Sequence, residues 1–537
     1  MALLDRLRSG GRATDGTDDG SDTDIPCRCD PSFRSPDGTD PDGDAALVVD
    51  ADDCPGDGHL AAEPNCRATV IDALAERDAD AVRVRCDGRE RVYDDGAVGL
   101  LVAAGRFAAR VAVHDETLAA RARHDPLGAA HAATGRAGPV ANLAATSGLA
   151  VGADRVDGGY ERALTATVGP TVSNARLVAR PPDEATLLDR RELDTGATVR
   201  RYRTDCDDHY LLEPLDARLD DADLRVLSAA YERLATGVDG DGGERPIPRA
   251  IRAVEGIDGV TDASVEVVER VLRKHTRGHG VLDDLFADPR VSEVVVTAPV
   301  SDGPVRVAID GERLRTNVHL TRTGVAALAS RFRRESGRGF SRANPTLDAT
   351  TEGPFGGSVR VAGVTDPASD GYGFVFRSHD AGAWTLPALV ANGTLSADAA
   401  ALCSVAVERA AAGLIAGPRG AGKTTLLSAL LWELPPAVRT VVVEDTPELP
   451  VSALRDAGRD VQPVRIEADD GPALSAAAAL RTALRLGDGA LVVGEVRGEE
   501  AATLYEAMRV GAASSAVLGT IHGDGAASVL ERVVTDL

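Results

Sequence analysis

Residues 417–424 read Gly417-Pro418-Arg419-Gly420-Ala421-Gly422-Lys423-Thr424, followed by Thr425. This stretch matches the phosphate-binding P-loop pattern G-x-x-x-x-G-K-[ST] at every position. A short apolar run that is typical of a buried strand precedes it at 414–416, and a run of helical composition follows it to 432. Strand, glycine-rich turn and helix is the order that places phosphate groups at a helix N-terminus. The stretch therefore predicts a nucleotide-binding domain in which residues 417–425 contact the nucleotide.

The side chains at the end of this stretch have predicted roles. The chain has two lysines, Lys274 and Lys423, and almost all its other cations are arginines. The compact ammonium of Lys423 fits between β- and γ-phosphate oxygens, where a planar guanidinium does not. Thr424 supplies a hydroxyl for Mg²⁺. The pattern thus predicts ATP and Mg²⁺ as ligands.

Strand-like runs after the P-loop end in polar side chains. Glu444 and Asp445 follow one run, Glu495 and Arg497 follow a second, and His522 ends a third. We predict that Glu495 orients or deprotonates the hydrolytic water and that Glu444 and Asp445 assist it near Mg²⁺. Arg497 would hold an acid or reach phosphate, and His522 would sense the γ-phosphate. The alternatives are a solvated turn, a helix-capping acid and a solvated histidine.

Alternation of strands and helices after the P-loop predicts an α/β fold, with a doubly wound, mostly parallel sheet of RecA type. We expect α/β domains to precede it. The predicted segments are 1–58, acidic and mostly disordered; 59–150, a small α/β domain; 151–247, an α/β segment and linker; 248–393, a further α/β domain; and 394–537, the ATPase domain.

The overall charge limits the class of partner. The formal net charge is −25, which argues against a nucleic-acid-binding surface. The acidic surface and scarce lysine together are typical of adaptation to high salt.

No uninterrupted apolar stretch approaches the ~20 residues that span a bilayer. We therefore expect a cytoplasmic protein, a location that is compatible with docking on a membrane protein.

Four of the seven cysteines lie in or beside the polar N-terminal segment: Cys27, Cys29, Cys54 and Cys66. In a cytosolic protein such a group favours a metal site over disulfides. Four thiolates can close a tetrahedral Zn²⁺ site and order a segment that has no core of its own. The spacing is not that of a standard zinc ribbon, so free thiols and an iron–sulfur cluster remain as alternatives.

The motifs together resemble those of the type II/IV secretion-system and VirB11-like ATPases, in the archaeal secretion or pilus-assembly branch. The resembling stretches are the Walker A motif at Gly417–Thr424, the acidic box at Val443–Leu449, the Walker B motif at Val493–Gly498, Thr520-Ile521-His522, and Gly280–Pro289 upstream. The resemblance covers the chain from about residue 200 onward. The chain departs from the family pattern in three respects. Ala512 stands where the family has histidine, the ATPase domain is expected to be short at its C-terminus, and the first ~200 residues, with their cysteines, lie outside the usual pattern.

The resemblance implies a homohexameric ring with ATP between subunits. It also implies that arginines of the preceding domain reach the nucleotide, and Arg360 and Arg377 match these positions; the alternative for both is a surface strand arginine. The implied function is a motor for pilus or filament assembly, or for protein export, acting through a polytopic membrane platform protein. Two rival functions remain: an ATP-binding ring component with weak hydrolysis, and a DNA-transfer motor.

Overall fold

A computed structural model describes residues 26–34, 45–154, 159–236, 246–254, 262–355, 357–379, 384–445, 447–466, 474–486, 489–498, 500–510, 516–523 and 525–536. The chain divides into two compact units. The first comprises residues 1–347, 353–355 and 361–377, and the second comprises residues 348–352, 356–360 and 378–537.

A seven-stranded sheet forms part of the first unit, with the order β1-β2-β3-β4-β5-β6-β13. β2 and β3 are parallel, and every other neighbouring pair is antiparallel. The strands are β1 (Asp30–Arg34), β2 (Ala46–Asp50), β3 (Ala81–Cys86), β4 (Arg89–Tyr93), β5 (Thr167–Pro170), β6 (Ala175–Val178) and β13 (Val318–Leu320). The helices of this region are α1 (Pro64–Leu74), α2 (Asp95–Val111), α3 (Glu116–His124), α4 (Pro126–Thr134), α5 (Pro139–Ser147), α6 (Leu149–Asp154) and α7 (Tyr160–Ala163).

The N-terminal segment differs from the expectation of disorder in its described part. Residues 30–34 and 46–50 pair as antiparallel strands, and β2 is buried except at Asp50. The apolar run 46–49 is the physical reason, because its residues Leu47 and Val49 pack into the core that β3, α1 and α2 share. Residues 1–25 and 35–44 lie outside the described residues.

A nine-stranded sheet has the order β14-β15-β16-β10-β11-β12-β9-β8-β7. Its strands are β7 (Thr186–Glu192), β8 (Thr198–Arg203), β9 (Asp208–Glu213), β10 (Val291–Val296), β11 (Arg306–Ile309), β12 (Glu312–Thr316), β14 (Thr346–Glu352), β15 (Ser358–Val364) and β16 (Gly373–His379). The helices between them are α8 (Asp221–Thr236), α9 (Pro246–Arg252), α10 (Asp262–Thr276), α11 (Val281–Phe286) and α12 (Arg322–Ser336). The predicted boundaries at 150 and 247 therefore separate strands that share a sheet.

One of the two lysines, in the first unit, is largely enclosed, with its side chain 12% exposed. Lys274 Nζ lies 2.7 Å from Asp216 Oδ1 and 2.8 Å from Asp284 Oδ2. His275 Nε2 lies 2.9 Å from the other oxygen of Asp216. The network joins α10 to α11 and to the turn after β9, and its carboxylates depend on Lys274 for their neutralisation.

A five-stranded sheet in the second unit has the order β17-β21-β20-β18-β19, and every neighbouring pair is parallel. Its strands are β17 (Ala412–Gly417), β18 (Thr440–Glu444), β19 (Val461–Arg465), β20 (Ala490–Val496) and β21 (Val517–His522). The helices are α13 (Leu386–Ala391), α14 (Ala397–Glu408), α15 (Lys423–Glu433), α16 (Val451–Asp456), α17 (Ala476–Ala483), α18 (Glu500–Val510) and α19 (Ala526–Asp536). The continuous part of this unit begins at residue 378, ahead of the predicted boundary at 393.

Helices cover both faces of the parallel sheet. Val442 and Val492 pack with α15 and the helices α13, α14 and α16. Their sequence neighbours Val441, Val443 and Leu491 point to the opposite face, where they pack with α17 and α18. Such continuous apolar strands are required when a parallel sheet is buried on both sides. The arrangement confirms the predicted α/β class with a doubly wound parallel sheet.

Within the ranges that the structure describes, no helix has the length and apolar character that crossing a membrane requires.

Candidate active site

The P-loop stretch forms the turn between β17 and α15. Gly417 ends the strand and Lys423 begins the helix. Gly420 and Gly422 have φ angles of +79° and +82°, in the left-handed region that favours glycine. These two glycines let the chain reverse within four residues, so that the N-terminal N–H groups of α15 face the loop. The predicted strand–loop–helix order is confirmed, but the strand is not buried as predicted: its residues alternate between exposed and half-buried, because β17 lies at the edge of the sheet.

The loop presents donors that suit a phosphate chain. Residues 418–422 are exposed, and the Lys423 ammonium donates to the carbonyl of Pro418 at 3.0 Å. Thr424 lies in the first turn of α15, where its carbonyl accepts from Ser428 Oγ at 2.7 Å. Backbone N–H groups, an ammonium and a threonine hydroxyl are the donor set that binds phosphates and Mg²⁺ in P-loop proteins. The residues present therefore fit the predicted ligands.

Parallel pairing brings the other predicted residues to the same edge of the sheet. His522 is the register partner of Gly417, so β21 ends beside the start of the loop. Val443 is the partner of Val493, which places Glu444 level with the end of β20. β20 has an irregularity in its pairing with β21 between Val493 and Val496, around Glu495. The carboxyl ends of adjacent parallel strands form the crevice in which α/β folds bind ligands.

Glu444 is buried and holds the loop that follows it. Its Oε1 accepts hydrogen bonds from the backbone N–H groups of Glu448 and Leu449, both at 2.9 Å. Burial raises the pKa of Glu444 from 4.5 to about 7, although these two bonds oppose the rise. A Cβ atom on Gly494 would lie 3.1 Å from Glu444 Cγ, so the glycine leaves room for the carboxyl group. In this arrangement Glu444 organises the acidic box.

Arg497 joins the two other predicted acids. Its Nε and Nη2 donate to Glu495 Oε2 at 2.8 and 2.6 Å, and its Nη1 donates to Asp445 Oδ2 at 2.6 Å. In this structure Arg497 contacts two acids, and its predicted alternative role, contact with a phosphate, stays a prediction. The guanidinium fixes two carboxylates from different strands at one position, which a lysine would not do with the same geometry.

The two arginines of the preceding segment have different surroundings. Arg360 binds both oxygens of Asp348 and donates to Glu448 Oε1 in the acidic box at 2.5 Å. Arg377 belongs to the first unit, where its Nε donates to Glu293 Oε2 at 3.0 Å. The structure thus brings Arg360 to the acidic box and pairs Arg377 with Glu293.

Sequence reasoning missed two acids of this group, Glu448 and Asp348. Glu448 stands inside the acidic box, so its spacing from Glu444 was an available signal. Asp348 lies on β14, outside any motif, and no sequence pattern singles it out. Ala512 lies outside the described residues.

The four predicted cysteines are brought together in the first unit. The sulfur atoms of Cys27, Cys29, Cys54 and Cys66 all lie within 4.8 Å of one another. The other three cysteines, Cys86, Cys206 and Cys403, do not belong to this group.

Comparison with known proteins identifies the family. Residues 292–535 match the family model described as Type II/IV secretion system protein. A putative conjugal transfer protein of Mycobacterium tuberculosis is 33% identical over 284 residues, which cover 51% of this chain and 76% of that protein. The chain belongs to the type II/IV secretion system protein family. It is also 37% identical to the type IV secretion system protein PtlH of Bordetella pertussis over 131 residues, or 24% of this chain and 37% of PtlH.

Among solved structures, the ATPase DotB of Legionella pneumophila is 21% identical to this secretion-system protein. The match covers 48% of this chain and 68% of DotB, with a TM-score of 0.35.

Proposed function

We propose that this protein hydrolyses ATP in a Mg²⁺-dependent reaction and works as the motor of a type II/IV secretion-like system. The observation that carries the proposal is the convergence of the P-loop, Glu495 and His522 at one edge of a parallel sheet. Membership of the secretion family supports the same conclusion.

The P-loop residues have the binding role in this proposal. Backbone N–H groups of residues 417–425 and the Lys423 ammonium bind the phosphates, and the Thr424 hydroxyl is a Mg²⁺ ligand. Bound Mg²⁺ neutralises charge on the phosphate oxygens. The Lys423 ammonium exchanges its contact with the Pro418 carbonyl for phosphate, because a charged acceptor forms the stronger hydrogen bond.

The strand ends have the catalytic role. Glu495 accepts a proton from the attacking water at a carboxylate oxygen, and Arg497 holds that carboxylate in place through two hydrogen bonds. Asp445 also accepts a hydrogen bond from Arg497. The guanidinium is therefore divided between two carboxylates and binds Glu495 less tightly. Glu444 positions the acidic box, and His522 contacts the γ-phosphate. Arg360 and Arg377 supply positive charge to bound nucleotide, as the family resemblance implies.

The wider setting follows from the family. We propose a homohexamer in the cytoplasm that engages a polytopic membrane platform protein and drives filament assembly or protein export. The Mycobacterium tuberculosis relative favours one second candidate, a motor for DNA transfer. The net charge of −25 argues against direct contact with DNA in that case.

Steady-state phosphate release at high salt tests the proposal and its rivals. We expect turnover with ATP that requires Mg²⁺ and is unchanged by double-stranded DNA. A several-fold stimulation by DNA would favour the transfer motor. Saturable ATP binding without turnover would reject the motor and favour an ATP-binding ring component.

A further inference from the structure

The four sulfur atoms of Cys27, Cys29, Cys54 and Cys66 have the spacing of a single tetrahedral metal site. Cys54 Sγ lies 3.6 Å from Cys66 Sγ and 3.8 Å from Cys27 Sγ, and all four sulfurs lie within 4.8 Å of one another. Zinc–sulfur bonds of about 2.3 Å place tetrahedral thiolates about 3.8 Å apart. We propose that these four cysteines bind one structural Zn²⁺ ion, which attaches the N-terminal strand β1 to the first unit.

The spacing distinguishes a single bound metal ion from a disulfide and from an iron–sulfur cluster. The Cys54–Cys66 sulfur distance is far longer than the ~2.05 Å of a disulfide bond, and all seven cysteines are free thiols. An iron–sulfur cluster contains several irons, each with its own thiolates, and so holds the sulfurs farther apart than one ion does. Four thiolates around a single position suit the soft, tetrahedral preference of Zn²⁺.

Backbone groups around the cluster support anionic sulfur. The N–H of Arg28 points to Cys54 Sγ at 3.4 Å, and the N–H of Cys29 points to Cys27 Sγ at 3.3 Å. Cys66 lies in the first turn of α1, where the helix dipole favours negative charge. Outer hydrogen bonds of this kind orient and stabilise metal-bound thiolates.

A glycine makes room for one of the sulfurs. A Cβ atom on Gly56 would lie 2.9 Å from Cys66 Sγ and 2.9 Å from Glu63 Cγ, closer than side chains tolerate. The loop between β2 and α1 therefore approaches Cys66 in a way that only glycine permits. The same loop carries Cys54 and lies against Cys66, so the course of its backbone positions two of the four sulfur ligands.

The anchor that strand β1 supplies from its own residues, Phe33, packs against the core near the C-terminal end of the strand, away from the cysteines. It is an edge strand of five residues that alternate between exposed and half-buried. Its first pair sets Asp30 opposite Asp50, and like charges across a strand pair are destabilising. Cys27 and Cys29 immediately precede this weak end, whereas Cys54 and Cys66 belong to the buried core. A zinc ion shared by the two pairs would fix β1 at the point where the ladder is least stable.

Metal analysis of the full chain, purified without a histidine tag, tests the proposal. We expect about one zinc ion per chain and negligible iron. Cys54→Ser should lose at least half of the zinc. Cys86→Ser is the matched control, because Cys86 is buried in the same core but lies outside the cluster, and it should keep the wild-type zinc content.

Two measurements on the wild-type chain keep the test valid if Cys54→Ser fails to fold. Replacement of the bound metal by Co²⁺ should give the intense visible absorption of tetrahedral thiolate coordination. Removal of the metal by a chelator should increase hydrogen exchange at residues 26–34 while exchange in β17–β21 stays unchanged. A metal-free chain whose cluster thiols react at once with a thiol reagent would overturn the proposal. Iron with inorganic sulfide, or disulfides within the cluster, would overturn it as well.

Discussion

Replacement of Glu444 by glutamine should change how the stability of the second unit depends on pH. Glutamine keeps the shape of the side chain and an oxygen that accepts from the N–H groups of Glu448 and Leu449. It removes only the ionisable proton. The comparison therefore isolates one titration from the others in the chain.

The direction follows from the raised pKa of Glu444, which changes from 4.5 to about 7 mainly because the carboxyl is buried. The folded chain binds this proton more tightly than the unfolded chain does. The stability that it contributes is therefore present below pH 4.5 and is lost as the pH rises through about 7. At about 1.4 kcal/mol per pKa unit the full loss is about 3 kcal/mol, of which about 2 kcal/mol falls between about pH 5.5 and about pH 8.5.

Tryptophan fluorescence measures this effect in the correct part of the chain. The two tryptophans, Trp384 and Trp432, both belong to the second unit. Their emission during urea unfolding therefore reports the free energy of unfolding of that unit. We expect Glu444→Gln to gain about 2 kcal/mol over the wild type between about pH 5.5 and about pH 8.5.

A difference between the two proteins that stays constant across this pH range would refute the reasoning, since Glu444 would then not titrate near neutrality. Glu444→Leu provides a second comparison. It removes the proton and also leaves two buried N–H groups without their acceptor, which costs roughly 1–3 kcal/mol each. We expect it to be less stable than Glu444→Gln at every pH.

Two further substitutions test packing and buried charge. Lys274→Met should destabilise the first unit by about 3–5 kcal/mol, because two buried aspartates lose their cation. Calorimetry of the unfolding transition of that unit measures the loss. A loss below about 1 kcal/mol would contradict the prediction. Gly494→Ala should cost the second unit about 1–3 kcal/mol, because its Cβ would crowd Glu444. Gly413→Ala in the same sheet is the control, since its Cβ would lie 3.8 Å from the nearest atom, an ordinary contact distance. Equal losses of stability in the two variants would contradict the crowding.

The P-loop region was predictable because its signals are local. The glycines, Lys423 and the flanking apolar runs lie within about twenty consecutive residues, and each run was long enough to identify a strand or a helix. The meeting of Glu495 and His522 at one edge also followed from sequence, since parallel strands end on the same side of a sheet.

Other features depend on contacts between distant residues. The sequence predicts that Glu444 assists catalysis, and its contacts with the backbone N–H groups of the next turn could not be read from the sequence. Arg360 and Arg377 were equivalent by pattern, but the structure pairs Arg360 with Asp348 and Glu448 and pairs Arg377 with Glu293. The cysteine spacing left three chemistries open, and only the folded chain brings the four sulfurs together. Strand pairing across long stretches likewise does not follow from local composition.

A single-turnover experiment tests the central claim most directly. A limiting amount of radiolabelled ATP is mixed with excess protein and Mg²⁺ at high salt, and the bound nucleotide is identified after acid quenching. We expect the wild type and the surface control Glu506→Gln, which alters a pair with Arg509 on α18, to convert bound ATP to ADP. Glu495→Gln should bind ATP with similar affinity and convert it on the order of 10² to 10⁴ times more slowly. Conversion by Glu495→Gln at the wild-type rate would contradict the proposed site, and so would a wild type that binds ATP without converting it.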